Sequence, residues 1–489
     1  MSEALTPHPS PHSPRILADL ESDMSPEAAA SVIALATDYL AATRAGVGPV
    51  SSSLPPAELA RRFDEPLPRS GQPLRAVVER VARDVISDVN RLYHPMYLGH
   101  QVSAPLPAAV WMESVTAAVN NSAAVFEMSP AATMIEHQVV RWMCDLAGYG
   151  SGSGGTMTSG GTEATFAALL AARAAALPDA WERGVGDRPL VVLCGEHAHY
   201  AVARAVGQLG LGTRNLITIP SRDWRMDPAA LEARLGALAS DGARVMAVVA
   251  TAGSTATGSF DDLDAIGELC EARGLWLHVD GAHGASALLS PAHRHRVRGI
   301  ERARSIAWDP HTMMLLPLSA GMLLVRDERD LDAAFAQRAP YLFHGDAGER
   351  NVDQGVRSFL CSRRTDALKL WVALQRYGAD GIGQLYDHLC VVTHALHREL
   401  GRRPTFEALH APESNILCFR FLGGAAPDDA SLDEVNRQLR ERYNLSGEGW
   451  ITATMLGGQR VLRVTIMNPR TTAEHVPRLL DGLERVASA

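Results

Sequence analysis

The chain has 489 residues, 46% of them hydrophobic, and a formal net charge of -9; this is enough for a large core divided into more than one lobe. The acidic balance and a pI near 6.1 exclude a nucleic-acid binder, which needs a concentrated basic face. No uninterrupted apolar run of ~18 residues occurs, and six singly scattered cysteines (Cys144, Cys194, Cys270, Cys361, Cys390 and Cys418) form no Cys-x-x-Cys pair, so the expectation is a cytoplasmic protein with free thiols and neither a membrane span nor a metal centre.

In chain order, residues 1–24 open on a Pro, His and Ser-rich stretch and are expected to be a disordered tail. Ser25-Pro26-Glu27 predicts a helix start, with serine as the cap and proline in the first turn, running toward Gly46. A second helical spacing covers 74–90, so residues 25–90 read as an N-terminal helical segment. Met128-Ser-Pro130 opens a further helix through Trp142. Gly160-Gly161-Thr162-Glu163 then leads into an alanine-rich helix. Backbone N–H groups at such a start, and the helix dipole, suit a dianionic phosphate.

From there strands and helices alternate: strand 190–194, helix 199–209, strand 216–219, helix 228–239, strand 245–250 and strand 276–280. That order predicts an α/β fold with a mostly parallel sheet and ligands beyond the carboxyl ends of its strands. The large domain is expected over 91–384 and a small α/β domain over 385–489. Functional candidates fall at the strand ends: His199, a loop from Thr251 through Thr255 to a capping Asp261 or Asp262, and Asp280. A carboxylate ending a buried strand is costly unless paired. The next strand ends in Asp309-Pro-His311-Thr312. Later, Leu462-Arg463 precedes Asn468-Pro469, and arginine suits a bidentate grip on a carboxylate. Lysine occurs once in the chain, at 369, in what reads as a helix interior.

The Gly160-Gly161-Thr162 turn, the Asp280-Gly-Ala282 strand end, Asp309-Pro-His311 and Leu462-Arg463 occur in one order that resembles the pyridoxal-phosphate-dependent amino-acid decarboxylases of the glutamate, aromatic-amino-acid and 2,4-diaminobutyrate group. The resemblance implies a fold-type I transferase architecture, similar to aspartate aminotransferase, and a homodimer built through the N-terminal helices. It implies phosphate contacts at Gly161 and Thr162, and His199 flat on the cofactor ring. Thr255 would lie near the ring substituents, Asp261 would tie down its loop, and Asp280 would face the pyridinium nitrogen. Ala282 would leave room for the ring, Asp309 and His311 would form the floor, and His100 and Arg463 would lie on the substrate side. His283 occupies a place where that family has a large aromatic residue. Val352 aligns with a loop tyrosine, with Tyr341 as the alternative.

In that family the residue after Asp-Pro-His is the lysine that holds the cofactor; here it is Thr312. Threonine has no amine, and apart from Lys369 the chain has no lysine that could take its place. The expectation is therefore non-covalent pyridoxal phosphate, with Thr312, His311 and His199 as the catalytic candidates. The chemistry would be altered and lysine-independent, acting on an amino acid or amine, with carboxy-lyase activity weak or lost. The alternative is a non-catalytic member, or a partner subunit in a heterodimer with a lysine-bearing paralogue. Another phosphorylated ligand on the same glycine turn is a third reading.

Overall fold

The computed structural model describes residues 15–52, 54–187, 189–335, 352–423 and 429–488. The chain divides into two units, Met1–Tyr97 with Glu441–Trp450 and Leu98–Arg440 with Ile451–Ala489. The first carries helices α1 (Arg15–Asp23), α2 (Pro26–Arg44), α3 (Pro56–Phe63) and α4 (Leu74–Asp84). Ser25 caps α2, its hydroxyl accepting the Ala28 N–H at 3.1 Å with Pro26 in the first turn, as the sequence predicts. Gly46, at φ 66°, turns the chain away after it.

Two expectations for this unit need correction. Residues 15–23, assigned to the tail, form α1. The helix expected over 74–90 stops at Asp84 and gives way to a single 3-10 turn at Ile86–Asp88. There the Asp88 carboxylate accepts from the Ser52 hydroxyl at 2.6 Å and pairs with Arg62, contacts that compete with continuing the helix.

The second unit is built on a seven-stranded sheet. Its strands are β1 (Gly154–Thr158), β2 (Leu190–Gly195), β3 (Leu216–Ile219), β4 (Arg244–Thr251), β5 (Trp276–Asp280), β6 (Ser305–Trp308) and β7 (Gly321–Val325), in the spatial order β1-β7-β6-β5-β4-β2-β3. All neighbours are parallel except β7, which runs antiparallel to both β1 and β6. Strands β2, β5, β6 and β7 are fully buried, which suits the apolar runs of β2 and β7; in β5 and β6 the buried polar residues His278 and Ser305 meet each other at 2.9 Å. Helix α5 (Gly161–Ala176) lies on the sheet through Ala164, Ala167, Ala168, Ala171 and Ala172, small residues that allow close approach.

A second sheet has the order β8-β9-β11-β10, with β8 at Phe406–Ala408, β9 at Ile416–Phe421, β10 at Thr452–Leu456 and β11 at Gln459–Thr465. The boundary expected at 384/385 falls inside the helix Ala367–Leu400, whose one non-helical residue is Gly378. Both sheets lie within the second unit. Among the described residues no helix is long and apolar enough to cross a membrane, and all six cysteines are free thiols.

Candidate active site

Parallel strands place their carboxyl ends on one side, and there a cavity of about 390 Å³ opens. Register brings the ends together, Thr251 of β4 lying beside Asp280 of β5 and Asp280 beside Ala307 of β6. The antiparallel β7 begins at Gly321, opposite Thr158 at the end of β1. Gly321 must be glycine, since a Cβ there would sit 2.5 Å from the Gly160 Cα and 2.7 Å from Asp309 Oδ1. Likewise a Cβ on Gly161 would meet the Ala282 Cβ at 2.8 Å, so the helix start and the β5 end interlock. Behind β1 a buried pair, Arg363 with Glu136 at 2.6 Å, fixes the strand: Glu136 accepts the Met157 N–H at 2.9 Å and Arg363 donates to the Met157 carbonyl at 3.1 Å.

Nine residues named from the sequence line this one cavity: Gly161, Thr162, His199, Thr255, Asp280, Ala282, Asp309, His311 and Thr312. His283, Gln101 and Leu318 join them. In the sequence His283 stands out only as a departure from the family pattern, and no motif marks Gln101. His100 and Arg463 are not among the lining residues. Arg463 is buried in β11, donates to Thr465 Oγ1 at 3.4 Å and leaves Nε without a partner. Among the described residues no carboxylate pairs with it. Val352 contacts His137 through its carbonyl at 2.9 Å and does not line the cavity; Tyr341 lies outside the described residues. Asp261 accepts the N–H groups of Thr251 and Met226, each at 2.7 Å, and ties the loop down, while Asp262 is the helix cap.

Lys369 is buried in the helix Ala367–Leu400, its Nζ held by Glu113 at 2.8 Å and Asp366 at 3.0 Å. It does not line the cavity. At the cavity floor the Thr312 hydroxyl lies 2.8 Å from the Ala282 carbonyl and 2.7 Å from the Asp309 carbonyl.

At the start of α5, the Gly161 N–H donates to Asp309 Oδ2 at 2.8 Å, so the donor expected to meet a phosphate has an internal partner. Ser159 and Glu163 bond each other, and the Ala164 N–H already meets Gly160. The unsatisfied donors of the first turn are then the N–H groups of Thr162 and Glu163. Asp280 accepts the Ala282 N–H at 3.2 Å; burial raises its pKa, while the Ala282 N–H and nearby His199 pull it down. Burial lowers His199 as well, and its Nδ1 accepts the Ala201 N–H at 3.3 Å. Burial takes both His283 and His311 down to about 4, so both are neutral at pH 7. His311 Nδ1 accepts the Ala320 N–H at 3.2 Å, which puts the ring proton on Nε2, 3.4 Å from Asp309 Oδ2.

The Asp309 carboxyl is pushed up to about 8, chiefly by burial. A raised carboxyl gives stability that is complete below its unfolded value of about 3.9 and is lost as pH rises through about 8. Asp309→Asn keeps an acceptor for Gly161 and removes the titration. Thermal unfolding should therefore find the variant level with the parent at pH 4 and more stable at pH 9. Parallel pH profiles for the two proteins would contradict this assignment.

The observations fit a phosphorylated pyridine ligand. Orphan N–H donors at a helix start suit a phosphate, and a buried carboxyl with one backbone partner suits a cationic ring nitrogen. Comparison with known proteins points the same way. The sequence profile described as the pyridoxal-dependent decarboxylase conserved domain matches residues 56–422. The L-2,4-diaminobutyrate decarboxylase of Rhizobium meliloti (strain 1021) is 33% identical over 425 residues, 86% of this chain and 84% of that protein. Human cysteine sulfinic acid decarboxylase is 32% identical over 443 residues, 88% and 90% of the two chains. The crystal structure of mouse CSAD superposes with a TM-score of 0.89 at 30% identity, covering 97% of this chain and 98% of that one.

Proposed function

This chain belongs to the pyridoxal-dependent decarboxylase family, and from that premise we propose that it handles an amino acid or amine with pyridoxal phosphate held without a covalent bond. Its α/β architecture is fold type I, similar to aspartate aminotransferase. One observation carries the proposal: the only lysine of the chain is buried between Glu113 and Asp366, outside a cavity whose floor presents Thr312. We read Thr312 as standing where the family lysine stands.

When bound, pyridoxal phosphate supplies an electron sink for the charge left at the substrate α-carbon. The Thr162 and Glu163 N–H groups would bind phosphate oxygens, together with the dipole of α5. Asp280 would hold a proton at the ring nitrogen, Ala282 leaves room beside it, and His199 and Thr255 would border the ring. Arg463, a buried cation with no carboxylate partner among the described residues, supports a role at the substrate carboxylate through movement or a bridging water. The Thr312 proton is committed to a backbone carbonyl, so proton movement falls to His311 or to the Asp309 carboxyl behind it. Losing one placed proton carrier is typically worth ~100- to 10,000-fold in rate, so carboxy-lyase activity is weak or lost in this reading. Exposed Ile16, Leu17 and Leu20 on α1 and Val32 and Ile33 on α2 support docking of a second copy through these helices.

Titrating purified protein with pyridoxal phosphate, reducing with borohydride and weighing the intact chain tests the proposal. Saturable absorbance with no mass adduct is the expected result. An adduct on Lys369 would overturn it.

A further inference from the structure

Proton direction inside the cavity says what kind of group it is built to receive. The Thr312 hydroxyl lies within 2.8 Å of the carbonyls of both Ala282 and Asp309, and a carbonyl cannot donate. Its single proton therefore goes to one of them, and toward the cavity Thr312 offers lone pairs alone. His283 is constrained the same way. Asn415 Nδ2 donates to the Ile466 carbonyl at 2.8 Å, which fixes the amide and turns its oxygen to His283. That oxygen lies 2.6 Å from His283 Nε2, so Nε2 carries the ring proton and Nδ1, buried and without a partner, can only accept. Asp280 and Asp309 line the same cavity, and among the described residues no lysine or arginine does.

We infer that the Thr312 corner of this cavity is a subsite for a primary ammonium, the group that brings three donors, no acceptor and a positive charge to the lone pairs of the Thr312 hydroxyl and to the Asp280 carboxyl that lines the same cavity. The inference deepens the cofactor reading above and rests on it. The ammonium has two sources, the aminomethyl group of the cofactor in its aminated form, pyridoxamine phosphate, or the free amine of the substrate.

Thr312→Val keeps the side-chain shape and removes the acceptor, while Ala282 and Asp309 each keep a backbone donor, at 3.2 and 3.0 Å. Thr312→Ser retains the acceptor. In calorimetric titrations, pyridoxamine phosphate should bind the parent and the serine variant roughly tenfold or more tightly than 4-deoxypyridoxine phosphate, which carries a methyl group instead. The valine variant should lose that preference while still binding the deoxy compound; this result assigns the ammonium to the cofactor. If the two phosphates bind alike, propylamine is titrated into protein saturated with the deoxy compound, which has no aldehyde to react. Saturable binding that valine abolishes and serine keeps assigns the ammonium to the substrate. If neither ammonium binding nor preference depends on Thr312, the subsite is overturned and the cofactor reading stands. If neither phosphate binds the parent, both are overturned.

Discussion

Thr312→Lys is expected to yield a chain that keeps its cofactor through denaturation. Thr312 follows the end of β6, is buried but lines the cavity, and shares it with Asp280 and Ala282. A lysine there would project its amine from the floor, where Asp280 and Asp309 supply acceptors. Removing the threonine hydroxyl leaves no backbone group stranded, since the Ala282 and Asp309 carbonyls still accept from the Asp309 and Thr312 N–H groups. After incubation with pyridoxal phosphate and borohydride, the variant should carry one pyridoxyl adduct at residue 312 and the parent none. Carbon dioxide release from the preferred amino acid should rise by roughly 100- to 10,000-fold, the range for one well-placed proton carrier. A variant that binds cofactor with no adduct at 312 would show that the threonine does not occupy the tether position.

The sheet and much of the cavity could be read in the sequence because their signals are local. Buried parallel strands give apolar runs, as in Leu190–Gly195. The residues that matter chemically then follow directly at the strand ends, as His199, Asp280 and Asp309 do. What escaped was set by contacts far apart in the chain. That Asp309 takes the Gly161 N–H, 148 positions away, leaves no mark in either motif, so a glycine turn that reads as a phosphate cradle has one donor already used. The Arg363–Glu136 pair behind β1 joins segments separated by 227 positions. The expected division at 384/385 coincides with no break in the backbone: it falls in the helical residues that follow Gly378, the non-helical residue between two helical stretches of Ala367–Leu400. His283 was visible as an oddity, but its proton position depends on Asn415 and Ile466, which no spacing rule connects to it.

Asp280→Asn should move stability and cofactor affinity in opposite directions. The carboxyl is buried at the end of β5, with the Ala282 N–H at 3.2 Å as its backbone partner, and burial raises its pKa. Without a cationic ligand, burial outweighs the Ala282 N–H and nearby His199, which favour its charged form. Its contribution to stability is therefore complete below the unfolded carboxylate range and is lost as pH rises through its elevated folded value. Asparagine keeps the oxygen that accepts from Ala282 and has nothing to ionise. The cofactor-free variant should thus unfold at a higher temperature than the parent at pH 8, by an amount worth about 1–3 kcal/mol, with the gap closing at pH 4. With pyridoxal phosphate present the order should reverse. A charged ring nitrogen that loses its buried partner forfeits about 3–5 kcal/mol, which converts to roughly 100- to 4,000-fold in dissociation constant. Thermal shift with and without cofactor, at both pH values, measures all four quantities in one experiment. Unchanged cofactor affinity in the asparagine variant would remove Asp280 from the ring nitrogen and with it the orientation on which the remaining assignments depend. A stabilised cofactor-free chain would then reflect only the removal of a buried charge.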